Sequence, residues 1–119
     1  MSTFNHEQAK QTIEAKTDDE LFYMQGDLRS AIAANPTNPK ACSEYVDTLH
    51  YVNEMIERRK VIALEKCRGR AKVLGGEVIK LDLKSRTVLC VIHKGKRIEY
   101  VTWKFTAEYG HVFYWGNYY

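Results

Sequence analysis

The sequence has few cysteines and prolines, and it has no long apolar run. Its three cysteines, at positions 42, 67 and 90, are too far apart for a Cys-x-x-Cys pair or a Cys/His zinc set. We expect Cys90 to be a small core residue, and Cys42 and Cys67 to be free thiols in a reducing compartment. No apolar run approaches the length of about 20 residues that crosses a bilayer, and the N-terminal stretch has no apolar signal core. These absences predict a cytoplasmic protein with no membrane partner.

The signatures of catalysis are also missing. The sequence contains no HExxH pair, no Ser-His-Asp spacing and no phosphate-binding loop. The Gly75-Gly76 pair lacks both the GxGxxG pattern and a following Lys-Ser/Thr, so it is predicted to lead into a strand. We therefore expect a protein that is not an enzyme, with no catalytic residue, no cofactor and no metal.

The charge of the chain is divided between its two halves. The 119 residues carry a net charge of +3, but residues 1–57 hold four Lys/Arg against ten Asp/Glu, and residues 58–119 hold fourteen against five. A basic half of this kind indicates a polyanionic partner, or else contact with the acidic half or with other copies of the chain. Self-association is therefore one of the alternatives that the sequence leaves open.

The first half of the sequence is typical of helices. A first helix is predicted over 4–15, and Thr17 with Glu20 forms the pattern of a capping box for a second helix that ends by Asn35. Asn38 and Pro39 are typical of the cap and first residue of a third, long helix that is predicted to end near Arg68. The short connector predicts that the second and third helices form an antiparallel hairpin. The predicted apolar face of the third helix comprises Tyr45, Leu49, Val52, Ile56 and Ala63, widened by Val46, Met55 and Ile62.

The second half is β-branched and aromatic, with turn residues at short intervals, and it predicts a four-stranded antiparallel meander. The predicted strands are 76–83, 86–93, 97–105 and 111–118. The fold class is thus α+β, with a helical region over 1–70 and a sheet region over 71–119. These regions form one compact unit, or two subdomains that the long helix joins.

Aromatic residues are concentrated at the C-terminal end, where nine of the last twenty residues are aromatic. Alternation predicts that Val101, Trp103 and Phe105 share one side of the sheet and that Tyr100 lies on the other. In the first strand it groups Ile79 with Leu81 and Leu83, whereas in the second strand either set of alternate residues fits the core. Rings on the uncovered side are candidates for a partner-binding surface. The candidates are Phe113, Trp115, Tyr118 and Tyr119.

Basic residues suggest a second kind of surface, because Lys and Arg neutralise phosphates and aromatic rings stack on unpaired bases. One cluster spans the end of the long helix and another lies at a predicted hairpin turn. The candidate nucleic-acid-binding residues are Arg58, Arg59, Arg68, Arg70, Lys72, Lys94, Lys96 and Arg97.

Two stretches resemble small accessory proteins of tailed phages and prophages. The first is TDDEL, followed by ANP, PKA, Tyr45, HY at 50–51 and ERR at 57–59. The second is VTW at 101–103, then YWG at 114–116 and a final aromatic pair. This resemblance implies a non-enzymatic protein in the cytoplasm of a bacterial host that binds a host protein complex, as an anti-CRISPR-like or antirestriction-like inhibitor does. The alternative is a small nucleic-acid-binding protein.

Overall fold

A computed structural model describes residues 4–35, 37–106 and 112–118; for Thr106 and for 112–118 it describes the backbone alone. It contains helices followed by an antiparallel sheet, which confirms the predicted α+β class. The helices are α1 (His6–Glu14), α2 (Asp18–Ala34) and α3 (Pro39–Val73), and the strands are β1 (Gly76–Asp82), β2 (Thr87–Lys94), β3 (Arg97–Thr106) and β4 (Val112–Tyr118).

The chain divides into two compact units, unit 1 (Met1–Arg58) and unit 2 (Arg59–Tyr119). The boundary falls inside α3, so that each unit includes part of this helix. In the described part of the chain, no helix combines the length and apolarity that a bilayer crossing requires.

The start of α2 follows the capping pattern of the sequence. The backbone N–H of Glu20 donates to Thr17 Oγ1 at 3.2 Å, and the backbone N–H of Thr17 donates to Glu20 Oε1 at 3.1 Å. These hydrogen bonds from Thr17 are the main reason that the pKa of Glu20 lies below its usual value. The predicted capping box is therefore confirmed. Pro36, which was predicted to end α2, lies outside the described residues.

Helix α3 begins as predicted but ends later. Pro39 is its first residue, and the N–H of Ala41 donates to Asn38 Oδ1 at 3.2 Å, which confirms the predicted cap. The prediction that α3 ends near Arg68 was wrong, since the helix continues to Val73. A glycine within a helix lowers the stability of the helix by only about 1 kcal/mol. Packing of the residues that precede and follow Gly69 in α3 offsets that cost. Gly75, two residues after the end of the helix, has a φ of +79° that only glycine adopts readily, so the chain leaves the helical conformation there.

The core of unit 1 is formed by apolar residues from all three helices. Ile13 of α1, Leu21 of α2, and Val52 and Ile56 of α3 are all at most 3% exposed. Between α2 and α3, Gln25 Nε2 donates to Asn53 Oδ1 at 2.7 Å. The predicted apolar face of α3 is therefore correct at its centre and too wide at its margin.

Two of the residues predicted to widen that apolar face are exposed. Val46 and Ile62 each expose 50% of their surface, so their inclusion in the buried face was wrong. They fall at the margin of the stripe, and a helix presents only about 100° of its circumference to one packing partner.

In unit 2 the strands are joined in the order β1-β2-β3-β4, and every pair is antiparallel. Val88, Cys90 and Ile92 are buried, whereas Leu89 and Val91 between them are half-buried. The structure thus decides between the two alternate sets that the sequence left open in β2.

Strand β1 departs from regular alternation at a bulge. Val78 pairs with Cys90 and Lys80 pairs with Leu89, so Ile79 is the additional residue in β1. Ile79 is 52% exposed, whereas Leu83 is 3% exposed. The prediction that the three residues share one side was therefore wrong for Ile79 alone, because the inserted residue interrupts the alternation, whereas Leu81 pairs with the buried Val88 and stays on the side of Leu83.

Small side chains of α3 complete the core of unit 2. Ala63, Cys67 and Ala71 recur every four residues and are at most 1% exposed. Burial raises the pKa of the Cys67 thiol, and the charge of Cys90 on β2 raises it further. This stripe of small residues is therefore the buried side of α3 within unit 2.

Candidate binding surfaces

The uncovered side of the sheet is the first candidate surface. We define the open face as the side of β2 and β3 that carries Leu89, Val91, Ile98 and Tyr100. Ile98 is 57% exposed and Tyr100 is 49% exposed, whereas the adjacent Val101 is fully buried. Tyr100 pairs with Val91 across the strands, so the exposed ring lies beside a half-buried aliphatic side chain. The open face is therefore apolar at its centre and accessible.

Polar groups border the open face. Lys104 Nζ donates to Thr87 Oγ1 at 2.9 Å and to the Ser85 carbonyl at 3.1 Å, which holds this cation at one end. At the other end, exposed His93 pairs with Ile98. An apolar centre with a polar rim is the usual composition of a protein-binding patch.

Two of the rings that the sequence assigned to opposite sides of β3, Phe105 and Tyr100, differ in burial as expected. Phe105 is 1% exposed and lies in the core, whereas Trp103, which was predicted to share its side of the sheet, is half-buried. The predicted partner-binding residues in β4 are described by backbone register alone. Trp115 pairs with Lys104, Phe113 pairs with Phe105, and Tyr118 pairs with Val101. Tyr119 and the predicted turn over 107–110 lie outside the described residues.

The predicted nucleic-acid-binding residues fall into several groups. Arg58 belongs to unit 1, where its guanidinium is 3.5 Å from Glu54. Lys94 is 3.2 Å from Glu99, and both lie near the β2–β3 turn with Lys96 and Arg97. Arg68 and Lys72 line one groove with β1, whereas Arg59 and Arg70 lie at other positions along α3.

The groove between α3 and β1 is the second candidate surface. We define the α3–β1 groove as two adjoining cavities of about 260 and 460 Å³, which share Arg68 and Val78. One wall is a stripe of α3 and the other is formed by residues 76–81 of β1. Arg68 and Lys72 were among the basic candidates that the sequence predicted. The sequence did not indicate that either residue lies beside a strand, because that juxtaposition depends on tertiary packing.

Unit 1 contains a polar cluster that the sequence did not indicate. His6 Nδ1 and the Tyr51 hydroxyl are 2.7 Å apart, and Lys10 Nζ lies 5.1 Å from the centre of the Tyr51 ring. These contacts join α1 to α3 and account for the position of the first helix. Residues 6 and 51 are too far apart in the sequence for any local pattern to reveal this contact.

Among the residues that the structure describes, no group of three His, Cys, Asp or Glu side chains is arranged to hold a metal ion. The two buried thiols are also poorly suited to nucleophilic chemistry. Burial raises the pKa of Cys67 to about 12 and that of Cys90 to about 11. A thiol with such a pKa is almost entirely protonated at neutral pH, and the protonated form is a weak nucleophile.

The thiol of Cys67 should make the protein less stable in alkali. Because its pKa is 9.0 when exposed and about 12 when buried, the folded protein keeps a proton that the unfolded chain loses. This stabilisation is complete below pH 9 and is lost as the pH rises toward 12. We expect Cys67→Ala to reduce the alkaline fall in the free energy of unfolding, as measured by urea unfolding from about pH 7 to 11. An unchanged slope in the variant would contradict the assignment.

Comparison with known proteins gives no relative for this chain: no protein-family model, no curated protein and no solved structure matches it.

Proposed function

We propose that the protein acts by binding a partner protein through the open face, without catalysis. The observation that carries this proposal is the exposure of Ile98 and Tyr100 on a strand whose other side is buried. Tyrosine is enriched at binding hot spots because it supplies a large contact area and loses little side-chain entropy. The strand that carries both residues is hydrogen-bonded on each side, so the surface is preorganised.

The resemblance to small phage accessory proteins supports a more specific form of this proposal. The partner is then a host defence complex in the bacterial cytoplasm, and the protein inhibits it in an anti-CRISPR-like or antirestriction-like manner. Trp115 and Tyr119 are proposed to extend the contact, whereas Phe113 and Tyr118, which are also sequence candidates, pair with the buried Phe105 and Val101 and fall in the register of the other side. The pairing of Trp115 with Lys104 places its backbone next to a residue that borders the open face.

The test is a pull-down from bacterial lysate with the wild-type protein and with Tyr100→Ala. We expect the wild type to recover one stoichiometric protein complex and Tyr100→Ala to lose it, since removal of a hot-spot ring weakens binding by about 2 kcal/mol or more. Tyr23→Ala is the matched control, because Tyr23 is 76% exposed on α2 and lies off the sheet. Equal recovery with Tyr100→Ala and Tyr23→Ala would overturn the assignment of the open face.

A nucleic-acid partner is the second candidate, because an exposed tyrosine near cations also fits a single strand. Tyr100 would stack on a base, and Lys96 and Arg97 at the adjacent turn would neutralise phosphates. In the same experiment this candidate predicts recovery of nucleic acid alone. Binding would then weaken steeply as the salt concentration rises.

A further inference from the structure

We propose that the α3–β1 groove binds an extended acidic segment of a partner protein as an added strand beside β1. This surface is distinct from the open face, and the inference rests on the proposed function only in treating the protein as a binder of other proteins. The groove is a second contact region. The length, backbone chemistry and charge of the walls of the groove indicate the kind of segment that it binds.

The two walls of the groove have the same length. The helical wall is the stripe Lys60, Leu64, Arg68 and Lys72, which recurs every four residues and rises about 18 Å. The facing residues 76–81 of β1 extend about 17 Å. The two walls therefore lie side by side over a distance that about five residues of an extended peptide would span.

Strand β1 offers backbone groups to an occupant. In the described part of the chain β1 pairs with β2 alone, so it is an edge strand of the sheet. An edge strand presents N–H and C=O groups that an extended peptide pairs with by strand addition. The bulge at Ile79 interrupts this edge and limits the paired stretch to a few residues on either side.

The charge of the groove selects an acidic occupant. Among the residues that the structure describes, its walls carry four cations, at Lys60, Arg68, Lys72 and Lys80, against one carboxylate, at Glu77. Arg68, Lys72 and Lys80 are exposed to solvent. A second copy of this chain is a poor occupant, because pairing of β1 with another β1 would bring the cations of both copies together.

The apolar part of the groove favours a peptide over a nucleic acid. Leu64, Val78 and Leu81 supply aliphatic surface, and none of the described residues that line the groove is aromatic. Single-stranded nucleic acids gain much of their affinity by stacking bases on rings. An extended peptide that pairs with β1 would instead direct every second side chain toward the cations of α3, so acidic residues at alternate positions suit the groove.

The test is fluorescence anisotropy with a labelled peptide of about eight residues that alternates glutamate and valine, long enough to pass both walls. The comparison probes are the same peptide with lysine for glutamate, and a labelled oligothymidine. We expect saturable binding of the acidic peptide that weakens as salt rises, and no binding of the lysine peptide. Failure of the acidic peptide to saturate, or tighter binding of the oligothymidine, would overturn the proposal.

Charge-reversal variants test the location of the site. Arg68→Glu combined with Lys72→Glu should weaken binding of the acidic peptide about tenfold or more. Lys66→Glu combined with Arg70→Glu is the matched control, since it makes the same charge change on exposed positions of the same helix outside the stripe. Equal losses in the two double variants would show a general charge effect and would contradict the groove. Thermal unfolding of each variant verifies that it is folded.

A second measurement does not depend on any variant. Hydrogen exchange with the wild-type protein should show protection of amides within residues 76–81 when the acidic peptide is added. Unchanged exchange in β1 at saturation would contradict strand addition. Tyr100→Ala should still bind the acidic peptide, so failure of the groove and failure of the open face give different results.

Discussion

Replacing Phe105 with alanine should lower the free energy of unfolding by about 3–5 kcal/mol. The side chain is 1% exposed and is the largest of the fully buried side chains that the structure describes. Its removal both loses apolar burial and leaves a cavity that the rigid sheet cannot easily fill. Urea unfolding followed by circular dichroism measures the change, and the midpoint should fall while the slope stays close to that of the wild type.

Tyr100→Ala is the control for this prediction, because it removes a ring of similar size from the other side of β3. Tyr100 is 49% exposed, so its loss should change the free energy of unfolding by less than about 1 kcal/mol. A loss of several kcal/mol for Tyr100→Ala, or a negligible loss for Phe105→Ala, would show that the two sides of the sheet are assigned wrongly. Retained stability in Tyr100→Ala is also what makes this variant informative in the pull-down.

Replacing Gly76 with alanine should destabilise the protein by about 1–3 kcal/mol. A Cβ atom at this position would lie 2.5 Å from the Val91 carbonyl oxygen and 3.1 Å from Ile92 Cγ1. The nearest of these atoms belongs to the backbone of β2, so relief requires β1 and β2 to separate. Thermal unfolding and urea unfolding both report this loss.

Gly69→Ala should have the opposite sign. Gly69 lies inside α3, and nothing stands within 4 Å of the position that a Cβ would occupy. Alanine should therefore stabilise the helix by about 1 kcal/mol. If both variants shifted stability in the same direction, the close approach of β1 and β2 at Gly76 would not be the cause. The sequence predicted that the Gly75-Gly76 pair leads into a strand, but it did not indicate that Gly76 lies against the backbone of β2.

The features that the sequence predicted well depend on neighbouring residues. The Thr17–Glu20 capping box requires a spacing of three residues, and the Asn38-Pro39 helix start requires two adjacent residues. The approximate bounds of the strands follow from turn residues at short intervals. Each of these signals acts within a few residues, so the linear sequence contains all the information that they need.

The features that the sequence predicted poorly depend on contacts between distant residues. The continuation of α3 through Gly69 is decided by packing on either side of that residue. The exposure of Ile79 follows from a bulge, since one additional residue in β1 changes which residues face the core. Similarly, Cys67 is fully buried, and the residue that acts electrostatically on its thiol, Cys90, is 23 positions away in the chain.

The candidate sites show the same division. Basic residues near the end of α3 were recognised from composition, because charge is readable residue by residue. Their arrangement as a stripe that flanks an edge strand could not be recognised, since it requires α3 and β1 to lie side by side.

By itself, the sequence determined the α+β class, the helix starts and the charge of each half, because these are set by local propensity and composition. Tertiary structure alone decided which side of β2 is buried, where α3 ends and which cations share a groove. The physical reason is that burial is a property of contacts between segments. Two alternating patterns of equal apolarity, such as those of β2, become distinguishable only when another element covers one of them.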